Sequence, residues 1–135
     1  LEMGLPLYGH ELREDINAAE SGLTRSIASK DFIGSPVVLD STKRTRVLSG
    51  IVIDGRRAGR AGDIVLDSDS NETGFITSGS FSPSLGIAIA LAYVKPAPVG
   101  EPVKIKTERG ELTGKIAEVP FYREATARAD IRKFL

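Results

Sequence analysis

The sequence predicts a mainly β protein, a small barrel or sandwich, on three observations. Short β-branched and apolar runs recur at close spacing from Val47 onward. Turn chemistry separates them, in "DGRRAGRAGD", "DSDSNETG" and "ERG". The 135 residues include 14 Gly and 7 Pro but no Trp, a balance that suits a turn-rich β structure.

The elements follow in chain order. The first stretch, "LPLYGHELREDINAAESGLTRSI", mixes apolar and acidic residues without a clean period and does not fix a helix. Gly34, Ser35 and Pro36 form a helix start, with Ser35 as the cap and Pro36 at the first helical position, so "PVVLDSTK" is predicted as a short helix. The main boundary is placed after it, at the charged run "STKRTR". "VLSGIVI" is a strand, followed by a long, basic, Gly-rich turn. "IVL" and "FITSG" are further strands, and "EPVKIKT" and "ELTGKIAEV" make a hairpin around "ERG". In its first arm Val103 and Ile105 alternate with Lys104 and Lys106, so one face is solvated.

The segment "ITSGSFSPSLGIAIALAYV", Ile76 to Val94, is small and polar at first and then apolar. Ser82 and Pro83 have the cap-then-Pro order of a single helical turn. In "IAIALAYV", Ile87, Ile89, Leu91 and Tyr93 alternate with Ala88, Ala90, Ala92 and Val94. Both faces are apolar, which predicts a strand buried on both sides, with close approach by another element on the Ala face. A helix stays open as the other reading, because Ala and Leu favour it.

Composition narrows the function classes. Lys plus Arg is 18 and Asp plus Glu is 18, so the basic excess of a nucleic-acid binder is missing. No apolar run reaches the roughly 20 residues that span a bilayer, and the first residues lack the pattern of a signal peptide. Cys is absent, which removes disulfides, thiol nucleophiles and Cys-based metal sites, and is compatible with a cytoplasmic setting.

Each candidate for chemistry has a plainer reading beside it. His10 is the single histidine and has no partner at ligand spacing, so a structural or surface role is expected. Glu11, Glu14, Asp15 and Glu20 lack a convergent partner and read as a solvated face. "DSDSNE" places oxygens at alternate positions, as a calcium loop does, but lacks the Gly and distant Glu of the full pattern and reads as a turn. Arg56, Arg57 and Arg60 among glycines could cradle an anion with guanidinium forks and backbone N–H groups, but fit no phosphate-loop pattern, and an exposed loop is expected. The tail carries Arg123, Arg128, Arg132 and Lys133 and reads as a solvated end that could reach an acidic ligand. The residues alone give a mostly β domain with an N-terminal extension and no self-contained catalytic set.

Three stretches together carry a resemblance. "LEMGLPLYGHEL" (Leu1 to Leu12), "KDFIG" (Lys30 to Gly34) and "GFITSGSFSPSLGIAIALAYV" (Gly74 to Val94) occur in this order, with "EVPFY" (Glu118 to Tyr122) near the end. The chain resembles the C-terminal part of the glycine cleavage T-proteins, a family of aminomethyltransferases. It departs from the family in reading "ESGLTR" at Glu20 to Arg25, and in a shorter segment before "FIG".

The resemblance implies a six-stranded C-terminal β-barrel from Thr45 to the end, with residues 1–44 as the end of a central folate-binding α+β domain. It implies a parent enzyme that takes an aminomethyl group from the lipoyl arm of the H-protein. That enzyme releases ammonia and gives 5,10-methylenetetrahydrofolate from tetrahydrofolate, with no metal. The family's catalytic aspartate, its pterin-holding glutamate and a folate-binding arginine are expected upstream of Leu1, which leaves this chain inactive alone. A C-terminal residue of the family reaches the folate. Arg128 is the first candidate, since it follows "PFY" at a suitable distance and suits an anionic glutamyl tail; Arg123 and Tyr122 rank below it. The alternatives are a stand-alone folate- or protein-binding barrel, a related folate-dependent demethylase, and an unrelated anion-binding barrel using Arg56, Arg57 and Arg60.

Overall fold

The computed structural model describes residues 1–27, 31–38 and 44–124. Six strands run in chain order: β1 Val47–Ile53, β2 Ile64–Leu66, β3 Glu72–Ser82, β4 Ile87–Val94, β5 Pro102–Thr107 and β6 Gly110–Ala117. They close into a barrel in the order β1-β4-β3-β2-β5-β6, and each pairing is antiparallel. Closure leaves no strand edge with unpaired backbone groups. The expected barrel is thus present, and the alternatives of a sandwich and of a helical "IAIALAYV" are excluded.

The alternation of strand direction decides where the loops lie. The β1–β2, β3–β4 and β5–β6 connections all fall at one end of the barrel. In the ring of six, β2 stands opposite β1, so the β1–β2 loop must cross that end. Gly59 of this loop is buried, and a Cβ there would lie 3.4 Å from Ile76 Cγ1 and 3.6 Å from Ile105 Cγ2. The loop therefore lids the core.

β4 is buried on both faces, as its two apolar stripes require. Ala88, Ala90, Ala92 and Val94 join Ile51, Ile53, Val65, Ile76, Val103, Ile105 and Ile116 in the core. Small Ala side chains suit the narrow lumen of a six-stranded barrel. Ile89, Leu91 and Tyr93, all fully buried, belong to the opposite stripe and need cover from outside.

β3 is longer than the predicted "FITSG": it continues through Ser80, Phe81 and Ser82. A bulge between Ile76 and Ser78 explains how a small, polar run can be a strand. Ile76 and Gly79 stand opposite Ala92 and Ala90, in phase with the core. Ser78, Ser80 and Ser82 stand opposite Leu91, Ile89 and Ile87, in phase with the outer face. The β3–β4 connection is one closed helical turn, as the Ser-Pro order predicts: Gly86 N–H donates to Ser82 C=O at 2.9 Å and Leu85 N–H to Ser82 Oγ at 3.1 Å. It is not propagated into a helix.

Among the described residues of 1–44 there is little regular structure. Turns dominate, with a bridge between Tyr8 and Leu12, a 3-10 turn at Leu23–Ser26 and a short helix, α1, at Ser35–Val38. The helix start differs in one respect from expectation. Val37 and Val38 donate to Gly34 C=O, so Gly34 takes the cap position at φ 92°, while Ser35 Oγ donates to Asp31 at 2.6 Å. The predicted remainder of this helix lies outside the described residues.

Candidate functional site

Two places gather polar side chains: the seam where the N-terminal segment meets β3, and the barrel end lidded by the β1–β2 loop. At the seam, Glu2 and Glu11 grip the serine face of β3. Glu11, 1% exposed, accepts from Ser78 Oγ at 2.6 Å and from Leu7 N–H at 2.9 Å. Burial pushes its carboxyl upward, but hydrogen bonds from Ser78, Thr77 and Leu7 outweigh burial and hold it below the usual range. Glu2 accepts from Ser82 Oγ, from Ser84 Oγ at 3.0 Å and from Ser84 N–H at 3.1 Å, and these bonds lower its pKa.

Tyr93 completes the seam from β4, its hydroxyl donating to Glu11 C=O at 2.8 Å. Burial, then the carboxylates of Glu11 and Glu20, push the phenol up to about 12. Arg46 covers Phe75 and Tyr93, its guanidinium 5.9 and 5.5 Å from the ring centres, and lies 3.7 Å from carboxylate oxygens of both Glu20 and Asp15.

The acidic set of the sequence is therefore dispersed. Glu11 binds β3, Asp15 pairs with Arg13 at 2.7 Å, Glu20 accepts from Asn17 N–H at 3.0 Å, and Glu14 is exposed. The solvated face expected for the set fails at Glu11 and Glu20, which are buried. His10 Nδ1 lies 3.3 Å from Thr77 C=O, a structural position. Asp67 of "DSDSNE" accepts from both the backbone and the side-chain N–H of Asn71, so its oxygens close a turn. Among the described residues no group of three or more His, Asp or Glu could hold a metal ion.

At the barrel end, Arg56, Arg57 and Arg60 meet Phe81 of β3 and Thr107, Glu108 and Arg109 of the β5–β6 hairpin around a concavity of about 760 Å³. Arg56 stacks on Phe81 at 4.5 Å. Arg57 donates to Thr107 Oγ1 at 2.7 Å and to Arg109 C=O at 3.4 Å. The three arginines are exposed, as expected, and three backbone donors that an anion cradle could have used are taken. Arg60 N–H donates to Asp63 Oδ2, Asp63 N–H to Arg60 C=O and Gly62 N–H to Ile76 C=O. The sequence reading missed Phe81, Thr107 and Arg109, although strand alternation could have placed both loops at one end.

Of the folate candidates, Arg128 lies outside the described residues. Tyr122 is half-buried, and its N–H donates to Glu2 C=O at 3.1 Å. Arg123 is exposed and ion-paired with Glu118. Beside them Phe121 packs on β1 at Gly50, where a Cβ would lie 2.8 Å from Phe121 Cζ. Tyr122 and Arg123 line none of the concavities described and form no folate pocket by themselves. Among the described residues no helix is long and apolar enough to cross a membrane.

Comparison with known proteins agrees with the barrel. The chain is 42% identical over 131 residues to the aminomethyltransferase of Cutibacterium acnes, with 93% of this chain and 35% of that protein covered. It is 36% identical over 135 residues to the aminomethyltransferase of Synechococcus elongatus, with 95% and 36% covered. It spans about a third of the length of the curated relatives it matches. The crystal structure of glycine cleavage system aminomethyltransferase T from Bartonella henselae superposes with a TM-score of 0.80 at 27% identity, over 90% of this chain and 36% of that one. The glycine cleavage T-protein C-terminal barrel domain matches residues 46–123, the same stretch that closes into six strands, and the chain belongs to that family.

Proposed function

We propose that this chain is the C-terminal portion of a tetrahydrofolate-dependent aminomethyltransferase. The observation that supports this best is the barrel itself, matched by the family over residues 46–123 and by a solved aminomethyltransferase over 90% of the chain. The parent enzyme takes the aminomethyl group from the lipoylated H-protein, releases ammonia and passes the one-carbon unit to its substrate tetrahydrofolate, in the cytoplasm. Residues 1–44 are the end of the central folate-binding domain, and residues 45–135 the barrel domain.

In this reading the chain supplies a wall of the folate site and no proton-transferring group. The carboxylates of Glu2 and Glu11, held ionised below the usual range, are spent on serine hydroxyls and backbone N–H groups of the seam. Arg128 pairs with the anionic glutamyl tail of the folate through its guanidinium fork. Tyr122 and Arg123 are further contacts, and Arg123 must release Glu118 to serve.

The test has two arms. The 135-residue chain, given aminomethyl-lipoyl H-protein and tetrahydrofolate, is expected to form no 5,10-methylenetetrahydrofolate, whereas the full-length parent forms it. In the parent, Arg128→Ala is expected to raise KM for tetrahydrofolate about tenfold with a smaller change in kcat. Turnover by the isolated chain would overturn its reading as an inactive portion, and a parent without activity would overturn the function.

A further inference from the structure

The concavity at the lidded end of the barrel has no role in the reading above. Around it stand four arginines, Arg56, Arg57, Arg60 and Arg109, against two carboxylates, Asp63 and Glu108. The chain as a whole has a formal net charge of zero, so this surplus of two positive charges is local. The arginines come from two loops 45 or more positions apart in sequence, brought together because strand alternation puts both at one end.

Two of the guanidiniums are already held in place. The Arg56 guanidinium carbon sits over the Phe81 ring, 4.5 Å from its centre, and occupies that ring face. Arg57 is anchored to Thr107 Oγ1 and Arg109 C=O. A side chain fixed before binding loses less rotamer entropy on binding. One carboxylate is partly occupied, since Asp63 Oδ2 already accepts from Arg60 N–H at 2.7 Å.

Three features narrow the ligand. The four arginines are exposed and the mouth is open, unlike the enclosed and mostly apolar sites that take small molecules. The backbone N–H groups of Arg60, Gly62 and Asp63 are spent within the loop or on β3, so the second half of the loop offers no nest to a lone phosphate. The aromatic face is covered by Arg56, which leaves no stacking platform for a nucleic-acid base. What fits is a row of carboxylates on another polypeptide, each met by a fork of parallel N–H donors.

We infer that the Arg56, Arg57, Arg60 and Arg109 rim is a docking surface for an acidic segment of a partner protein. This does not depend on the one-carbon reading. The probe is a fluorescein-labelled oligoglutamate peptide, titrated by anisotropy with the 135-residue chain, with inorganic tripolyphosphate as competitor. Saturable binding is expected, at least about tenfold weaker when salt rises from about 50 to about 300 mM. The triple variant Arg56→Glu, Arg60→Glu, Arg109→Glu is expected to lose it by about tenfold or more, with the circular dichroism spectrum unchanged. The reversal Lys95→Glu, Lys104→Glu, at the other end of the barrel, is expected to leave it intact. No saturable peptide binding, binding that survives the triple reversal, binding lost equally in the lysine control, or tripolyphosphate binding without peptide binding would each overturn the inference. Should the triple variant misfold, Arg60→Gln and Arg109→Gln singly replace it, each expected to weaken binding a few-fold, and no change in either overturns the inference.

Discussion

Ser78 Oγ donates to Glu11 Oε1 at 2.6 Å, joining two residues 67 positions apart in the chain. A second such bond, from Ser82 to Glu2, lies nearby, so the carboxylates of "LEMGLPLYGHEL" and the serines of "SGSFSPS" form one seam. The outer face of β4, apolar and otherwise open to water, is closed by it.

Removing the first carboxylate should open that seam. Glu11→Ala leaves Ser78 and the Leu7 N–H without their acceptor at a part-buried seam, at a cost of about 2 kcal/mol. Ser78→Ala should cost about 1 kcal/mol. Urea unfolding of the three chains gives the order. Hydrogen exchange at Leu7 should speed up in Glu11→Ala while the strands of the core stay protected. Unchanged exchange at Leu7 would show the bond to be unimportant.

The same group sets an acid limit. Its folded pKa lies below the ordinary carboxyl value of 4.5, so its contribution is complete above that value and is lost as pH falls through the lower, folded one. Urea midpoints between neutral pH and about pH 3 should fall more steeply for the natural chain than for Glu11→Gln. Parallel curves would assign the acid sensitivity elsewhere.

Tyr93 sets an alkaline limit. Its phenol is pushed from 10 up to about 12, so the stability it contributes is complete below pH 10 and is lost as pH rises towards 12. Tyr93→Phe removes the donor to Glu11 C=O and should cost about 1 kcal/mol at neutral pH. Absorbance of phenolate should include a component rising near pH 12 that this variant lacks.

Gly79 faces the lid. A Cβ there would press on the carbonyl oxygen of Gly59, backbone that cannot rotate away. Gly79→Val should cost about 3 kcal/mol or prevent folding, whereas Gly86→Val, strained only by its φ of 70°, should cost about 1 kcal/mol. Thermal melts of both distinguish backbone crowding from loss of glycine freedom.

The sequence by itself determined the strands. Period-two alternation in "VKIK", β-branched residues in "VLSGIVI" and the turn residues between them locate five of six elements, because these are local preferences of side chain and backbone. Two apolar stripes in "IAIALAYV" required burial on both sides before any partner was known.

Only the tertiary structure decided what the polar residues do. Local sequence made Glu11 a surface acid, since its side-chain partner on β3, Ser78, arrives from 67 positions away and only a backbone N–H, that of Leu7, is near it in the chain. The small, polar second half of β3 is a strand because a bulge turns its serines outward to meet carboxylates, a condition no local period encodes. The rim follows the same logic. Arg57 and Arg109 become neighbours only because an even, antiparallel ring returns alternate loops to one end, so closure of the barrel decides which charges meet.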